Sequence, residues 1–170
     1  MKKHKKTAFS GIFTALCVIA LFLGSLIQTL DLTSAALGSI IILVAFVELG
    51  KGWAFGVYCA TSIISLLLLP YKTPAVIFAC FSGFYPILKE PLNRIKPLPL
   101  SYGVRIVIFN IFLTALIFVS KRVFGIEEVY LNFGFIIYAL CNVVFVVFDL
   151  ALERVAVFYV SKLKPMFFGR

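Results

Sequence analysis

Acidic residues and histidine are scarce in this chain: its 170 residues include seven Asp and Glu together and a single His. Metal centres and general acid–base sites are built from clusters of these side chains, so the deficit excludes most hydrolase and metalloenzyme arrangements. A phosphate-binding glycine loop, a Gly-x-Ser-x-Gly turn and a His-Glu pairing are also missing. We expect no catalytic residue, no metal and no cofactor. The one histidine, His4, stands in a basic tail and reads as a surface residue. Cys17, Cys59, Cys80 and Cys141 fall in four different apolar segments, never as a close pair, and read as small apolar packing residues. Charged residues make up only 14%. With no linker, low-complexity tract or charged domain, the sequence is read as one domain over 1–170. No internal repeat is visible, which argues against a self-contained inverted-repeat transporter.

What fills the chain is apolar. Hydrophobic residues reach 62% and the mean hydropathy is +1.10, outside the range of ordinary soluble domains. A helix needs about 20 mostly apolar residues to cross the hydrocarbon. Segments close to that length lie at 7–30, 34–50, 53–69, 74–88, 102–120 and 130–150. These predict an all-α integral membrane protein with six transmembrane helices. The fourth segment is short, contains Pro86 and is bounded by Pro70 and Pro74, so five spans with a re-entrant fourth segment also fit. The runs are continuous rather than alternating, which argues against a β-barrel.

The basic start, residues 1–6, resembles that of a signal peptide. The apolar stretch behind it is too long and ends in no small-residue cleavage site, so it reads as a retained first helix. With six spans, one side holds Lys2, Lys3, Lys5, Lys6, Lys51, Lys89, Arg94, Lys96, Arg105, Arg154, Lys162, Lys164 and Arg170, while the other holds Lys72, Lys121 and Arg122. Basic residues are retained in the cytoplasm, so the asymmetry predicts both termini on the cytoplasmic side. Topology thereby accounts for the net charge of +9, and nucleic-acid binding is not needed. Anionic lipid at the inner leaflet is an expected partner.

Polar side chains within spans must find protein or ligand, because water is absent there. The fifth segment carries Arg105, Asn110 and Thr114; the sixth carries Tyr138, Asn142, Asp149 and Glu153. At about 1.5 Å per residue, Asn110 lies roughly 15 Å below Ser120 and Asn142 roughly 18 Å below Tyr130, a similar depth. The amides either bond each other across a helix interface or converge on a ligand, and Tyr138 extends the stripe one turn outward. Arg105 and Asp149 are expected to form a structural ion pair, with proton coupling through Asp149 as the competing role. Glu48 pairs with Lys51 or snorkels.

Outside the spans, the stretch Lys89 to Pro99 contains three prolines, which exclude a regular helix throughout and suggest a fixed cytoplasmic loop. The outer joint from Gln28 to Ser34 either helps close a site or is a helix start capped by Thr33 or Ser34. On the first helix Ser10, Gly11, Thr14 and Ala15 bring small side chains together at four-residue spacing, a device that lets helix backbones approach closely.

The lysine-rich start and the run Lys6-Thr-Ala-Phe-Ser-Gly11-Ile-Phe-Thr-Ala15-Leu, on a chain of this size with six spans, resemble the substrate-binding S components of energy-coupling factor (ECF) transporters. Those proteins usually show Ala-x-x-x-Ala; here Gly11 takes the first place. The resemblance implies a subunit that captures a vitamin or related micronutrient on its outer side. Its first helix then packs, through Ser10, Gly11, Thr14 and Ala15, on the transmembrane coupling subunit of a module driven by two ATPase subunits. It places the substrate pocket in the outer halves of the later helices and the outer loops, here Tyr71, Lys72, Thr73, Asn110, Thr114, Tyr130, Asn132, Tyr138 and Asn142. Lys72, Lys121 and Arg122 are offset by Glu127 and Glu128, so the charge of the substrate stays open. Two other readings compete. A structural scaffold such as the cell-shape protein MreD needs no pocket, and Asn110 and Asn142 then satisfy each other. A small lipid-directed enzyme would use Asp149 or Glu153 as general base, with nothing accompanying them.

Overall fold

The structure, a computed structural model, describes residues 3–93, 98–124 and 134–163. Every secondary-structure element among them is helical. In chain order these are α1 (Lys3–Leu26), α2 (Asp31–Leu49), α3 (Lys51–Leu68), α4 (Thr73–Ile77), α5 (Tyr85–Asn93), α6 (Leu98–Phe124) and α7 (Gly134–Phe158), with single π-helical turns at Phe78–Ser82 and Tyr159–Leu163. Among the described residues, five stretches are long and apolar enough to cross a membrane: Lys3–Leu26, Asp31–Leu49, Lys51–Leu68, Thr73–Leu92 and Ser101–Phe118. Large apolar side chains cover the outside, Leu67 at 78% exposure and Leu140 at 66% among them. Such a surface is stable against lipid and not against water, and the chain is an all-helical membrane protein.

The helix breaks follow from the residues at them. Gly50 adopts φ +90, a conformation that costs little only without a Cβ, and it reverses the chain directly from α2 into α3. Pro74 and Pro86 sit in the first turns of α4 and α5, where a missing N–H breaks no helical bond. Between these short helices the backbone widens into the π-helical turn Phe78–Ser82, and the carbonyls it frees are satisfied from outside. Tyr58 Oη donates to the Ala79 carbonyl at 2.6 Å, and Ser39 Oγ donates to that of Ser82. The fourth segment is thus an interrupted helix, and Thr73–Leu92 is the most buried of the five candidate spans. Interrupted backbone is tolerated at membrane depth where protein surrounds it.

Three local expectations change. Residues 89–93 are not loop but the end of α5, with Pro91 inside it; residues 94–97 lie outside the described residues, and helix resumes at Leu98. Neither Thr33 nor Ser34 caps α2, which starts earlier, at Asp31; Ser34 Oγ instead donates backward to the Asp31 carbonyl at 2.9 Å. The final helix runs on to Phe158 rather than ending near 150, because Asp149 is paired and its burial is compensated.

Two clusters form the interior. Cys17 and Leu21 of α1 pack with Ala35, Ile42 and Ala45 of α2, with Ala54 and Val57 of α3, and with Ala75 and Phe78 of the interrupted helix. Leu43, Tyr85, Phe145 and Leu152 form the second, which joins α2 and α5 to α7. Phe78 is held between two glycines: a Cβ on Gly38 would lie 2.8 Å from its ring, and one on Gly83 would lie 2.7 Å from it.

Candidate functional site

Helices α6 and α7 face each other through a series of paired side chains, starting with charge near the beginning of α6. Asp149, 1% exposed, accepts from Arg105 Nη1 at 2.6 Å on one oxygen and from Tyr85 Oη at 2.6 Å on the other. Lys89 Nζ reaches that second oxygen at 2.6 Å and also donates to the Asp149 carbonyl. Glu153 stands farther off, 3.7 Å from Lys89 and 3.5 Å from Arg105. The expected pair of Arg105 and Asp149 is therefore one edge of a four-charge cluster that joins α5, α6 and α7. Two cations and two carboxylates balance to zero, which is what permits their burial. The Arg105 guanidinium also lies over the Tyr102 ring, 5.0 Å from its centroid.

One turn farther along α6, Phe109 and Phe145 stack at 4.4 Å between centroids and 7° between planes. Beyond them the two amides bond reciprocally: Asn110 Nδ2 donates to Asn142 Oδ1 at 3.0 Å, and Asn142 Nδ2 donates to Asn110 Oδ1 at 3.1 Å. Each amide nitrogen also donates to a carbonyl one turn back in its own helix, Ile106 and Tyr138. Thr114 and Tyr138 share the last hydrogen bond of the series at 3.1 Å. On α7 the sequence Tyr138, Asn142, Phe145, Asp149 alternates steps of four and three, the spacing that keeps one helix face on its neighbour.

A cavity of about 610 Å³ lies between α2, the interrupted fourth helix, α6 and α7. Phe81, Phe109, Phe112, Phe145 and Phe148 supply its aromatic walls, and Thr33, Thr73, Ser82 and Cys141 its few polar groups. The Ser82 hydroxyl is engaged, donating to the Ala35 carbonyl at 3.0 Å. Phe81 links cavity and charge cluster directly, since its ring lies 5.0 Å from that of Tyr85 and 5.2 Å from that of Phe109.

The residues singled out in the sequence distribute over three places. Thr73 lines the cavity. Asn110 and Thr114 border a shallow open groove on α6, with Val107, Ile111, Ala115 and Phe118, and bond Asn142 and Tyr138 as described. Lys72 is drawn onto the end of α3, where its Nζ donates to the Leu66 carbonyl at 2.7 Å; the half-buried Tyr71 beside it does not border the cavity either. Asn132, Tyr130, Glu127 and Glu128 lie outside the described residues, and nothing is described of the side chains of Lys121 and Arg122. Glu48 accepts from Tyr159 Oη at 3.3 Å. On α1, Gly11 and Ala15 are exposed and a Cβ on Gly11 would meet nothing within 4 Å. Ser10 and Thr14 turn their hydroxyls onto the carbonyls of Thr7 and Ser10 in their own helix.

Sequence reasoning missed Lys89 and Tyr85 as partners of Asp149, having read Lys89 as a loop charge. Their signal was spacing: they stand one turn apart at the end of an apolar segment, with Asp149 and Glu153 set against a single expected cation elsewhere in the spans. No family model, curated protein or solved structure matches this chain.

Proposed function

We propose that this protein is a solute-binding membrane subunit of the kind that the first helix resembles, the S component of an ECF transporter. In this reading it spans a bacterial cytoplasmic membrane six times with α7 as the last span, and both termini are cytoplasmic. The observation that carries the reading is the cavity between α2, the interrupted helix, α6 and α7. It extends from the starts of α2 and α4, the outer ends in this topology, towards the charge cluster. A small molecule captured there would be handed inward by a partner module with a transmembrane coupling subunit and two ATPase subunits.

The open, small-residue face of α1 supports the second half of the reading. Gly11 and Ala15 offer little side-chain bulk, and the hydroxyls of Ser10 and Thr14 are already satisfied, so another helix can approach without stranding a polar group. The exposed cations Lys3, Lys5, Lys51, Arg154 and Lys162 suit anionic lipid at the inner leaflet. Thr73 then forms part of the wall around the solute. Asn110, Thr114, Tyr138 and Asn142 hold the α6–α7 wall in place.

Substituting Leu at Gly11 and at Ala15 tests the reading. Both variants should fold and keep the cavity while losing co-purification with the coupling subunit and losing uptake; retention of both properties would refute it. One observation favours the MreD-like scaffold: the reciprocal bonds of Asn110 and Asn142, which need no ligand. Purification with morphogenesis proteins and an empty cavity would select that alternative.

A further inference from the structure

Resting on the reading of the cavity as a solute site, we infer that its cargo is an uncharged, predominantly apolar molecule with one polar end, admitted sideways from the bilayer. None of the cavity's twenty lining residues is charged. A charged or polyhydroxylated solute placed there would lose its water and gain almost no partner in return, a large desolvation penalty. Five phenylalanines offer ring faces and edges suited to flat or polyene skeletons. Along α7 the lining extends from Leu140 to Ala151, about 16 Å at 1.5 Å per residue, so the space is elongated.

The polar end is assigned by two threonines. Thr33, exposed at the start of α2, and Thr73, at the start of α4, line one end of the cavity, whereas the hydroxyl of Ser82 is committed to Ala35. The cargo's polar group therefore points to that end and its apolar body extends towards Phe81 and Phe148. The route follows from the rim. Leu32, Leu140, Val144 and Val147 line the cavity and are 41% to 66% exposed, so its mouth is apolar and opens where lipid contacts the protein.

The test uses the full chain in phosphatidylcholine nanodiscs, titrated with retinol, a neutral polyene bearing one hydroxyl, and read by retinol fluorescence. Retinoate, the same skeleton ending in a carboxylate, is the matched anion; riboflavin is the polar control. Saturable binding of one retinol per chain is expected, with retinoate at least tenfold weaker. Thr33→Val should weaken retinol about tenfold, the loss of one hydrogen bond. Ala36→Phe and Ala151→Phe, which fill the cavity from two different helices, should each abolish saturation. An equal retinol signal in the parent and both filled variants would mean bulk partitioning and overturn the inference, as would equal binding of retinoate. Riboflavin binding that the filled variants abolish, without a retinol site, would overturn the apolar assignment and leave the solute-site reading standing. A stoichiometric phospholipid that retinol fails to displace would overturn both.

Discussion

Replacing Asp149 by Asn is the sharpest test of how α5, α6 and α7 are held together. The substitution keeps the shape of the side chain and an oxygen for Tyr85, but removes the fully buried negative charge of the cluster. Lys89 and Arg105, each with side-chain exposure of 6%, then keep from the cluster one carboxylate, that of Glu153, whose side chain is 39% exposed and no closer than 3.5 Å. Removing one partner of a buried ion pair typically costs about 3–5 kcal/mol, because the remaining charge stays desolvated. That is a large share of the ~5–15 kcal/mol that holds a typical domain folded. Glu153→Gln removes an equal charge from a half-exposed place and should cost only about 0–1 kcal/mol. Adding Lys89→Met to Asp149→Asn takes away the surplus cation and should return stability to within about 2 kcal/mol of the parent. Equilibrium unfolding in mixed dodecyl maltoside and SDS micelles, followed by far-UV circular dichroism, measures all four proteins. If Asp149→Asn matches Glu153→Gln within about 1 kcal/mol, or if Lys89→Met brings no recovery, the balanced-cluster argument is wrong.

Two further outcomes test the packing. The amide pair should show a coupling of about 0.6–1.7 kcal/mol in a cycle of Asn110→Leu, Asn142→Leu and the double variant, and additivity in the same unfolding assay would refute reciprocal bonding. Gly38→Ala and Gly83→Ala push a methyl group into the Phe78 ring and should each cost about 1–3 kcal/mol. Gly56→Ala meets nothing within 4 Å and should be neutral or stabilising by up to about 1 kcal/mol, so equal effects at all three glycines would refute the close approach.

Much of this architecture is legible in the chain. Apolar runs of membrane-spanning length predict the helices, since a bilayer leaves the backbone no other way to satisfy itself. The depth argument placed Asn110 level with Asn142, and charge type paired Arg105 with Asp149, because a straight helix converts residue number into height. Pro86 and Pro74 marked the weak fourth segment. What they could not reveal is that the interruption is sheltered by Ser39 and Tyr58 from two other helices.

Long-range placement accounts for the rest. Lys89 looks like a solvated loop charge until α5 continues past Leu88 and carries it against Asp149, sixty residues away. The cavity is equally invisible in sequence: its phenylalanines resemble any lipid-facing aromatics, and only the meeting of four separate elements turns them inward around a common space. The sequence by itself determined the solvent, most of the helices and the matching depths of Asn110 and Asn142, because these depend on local composition and rise per residue. The tertiary structure alone decided which helix faces meet, and so where charge is neutralised and where space is left, because these depend on the rotation and crossing of helices far apart in the chain.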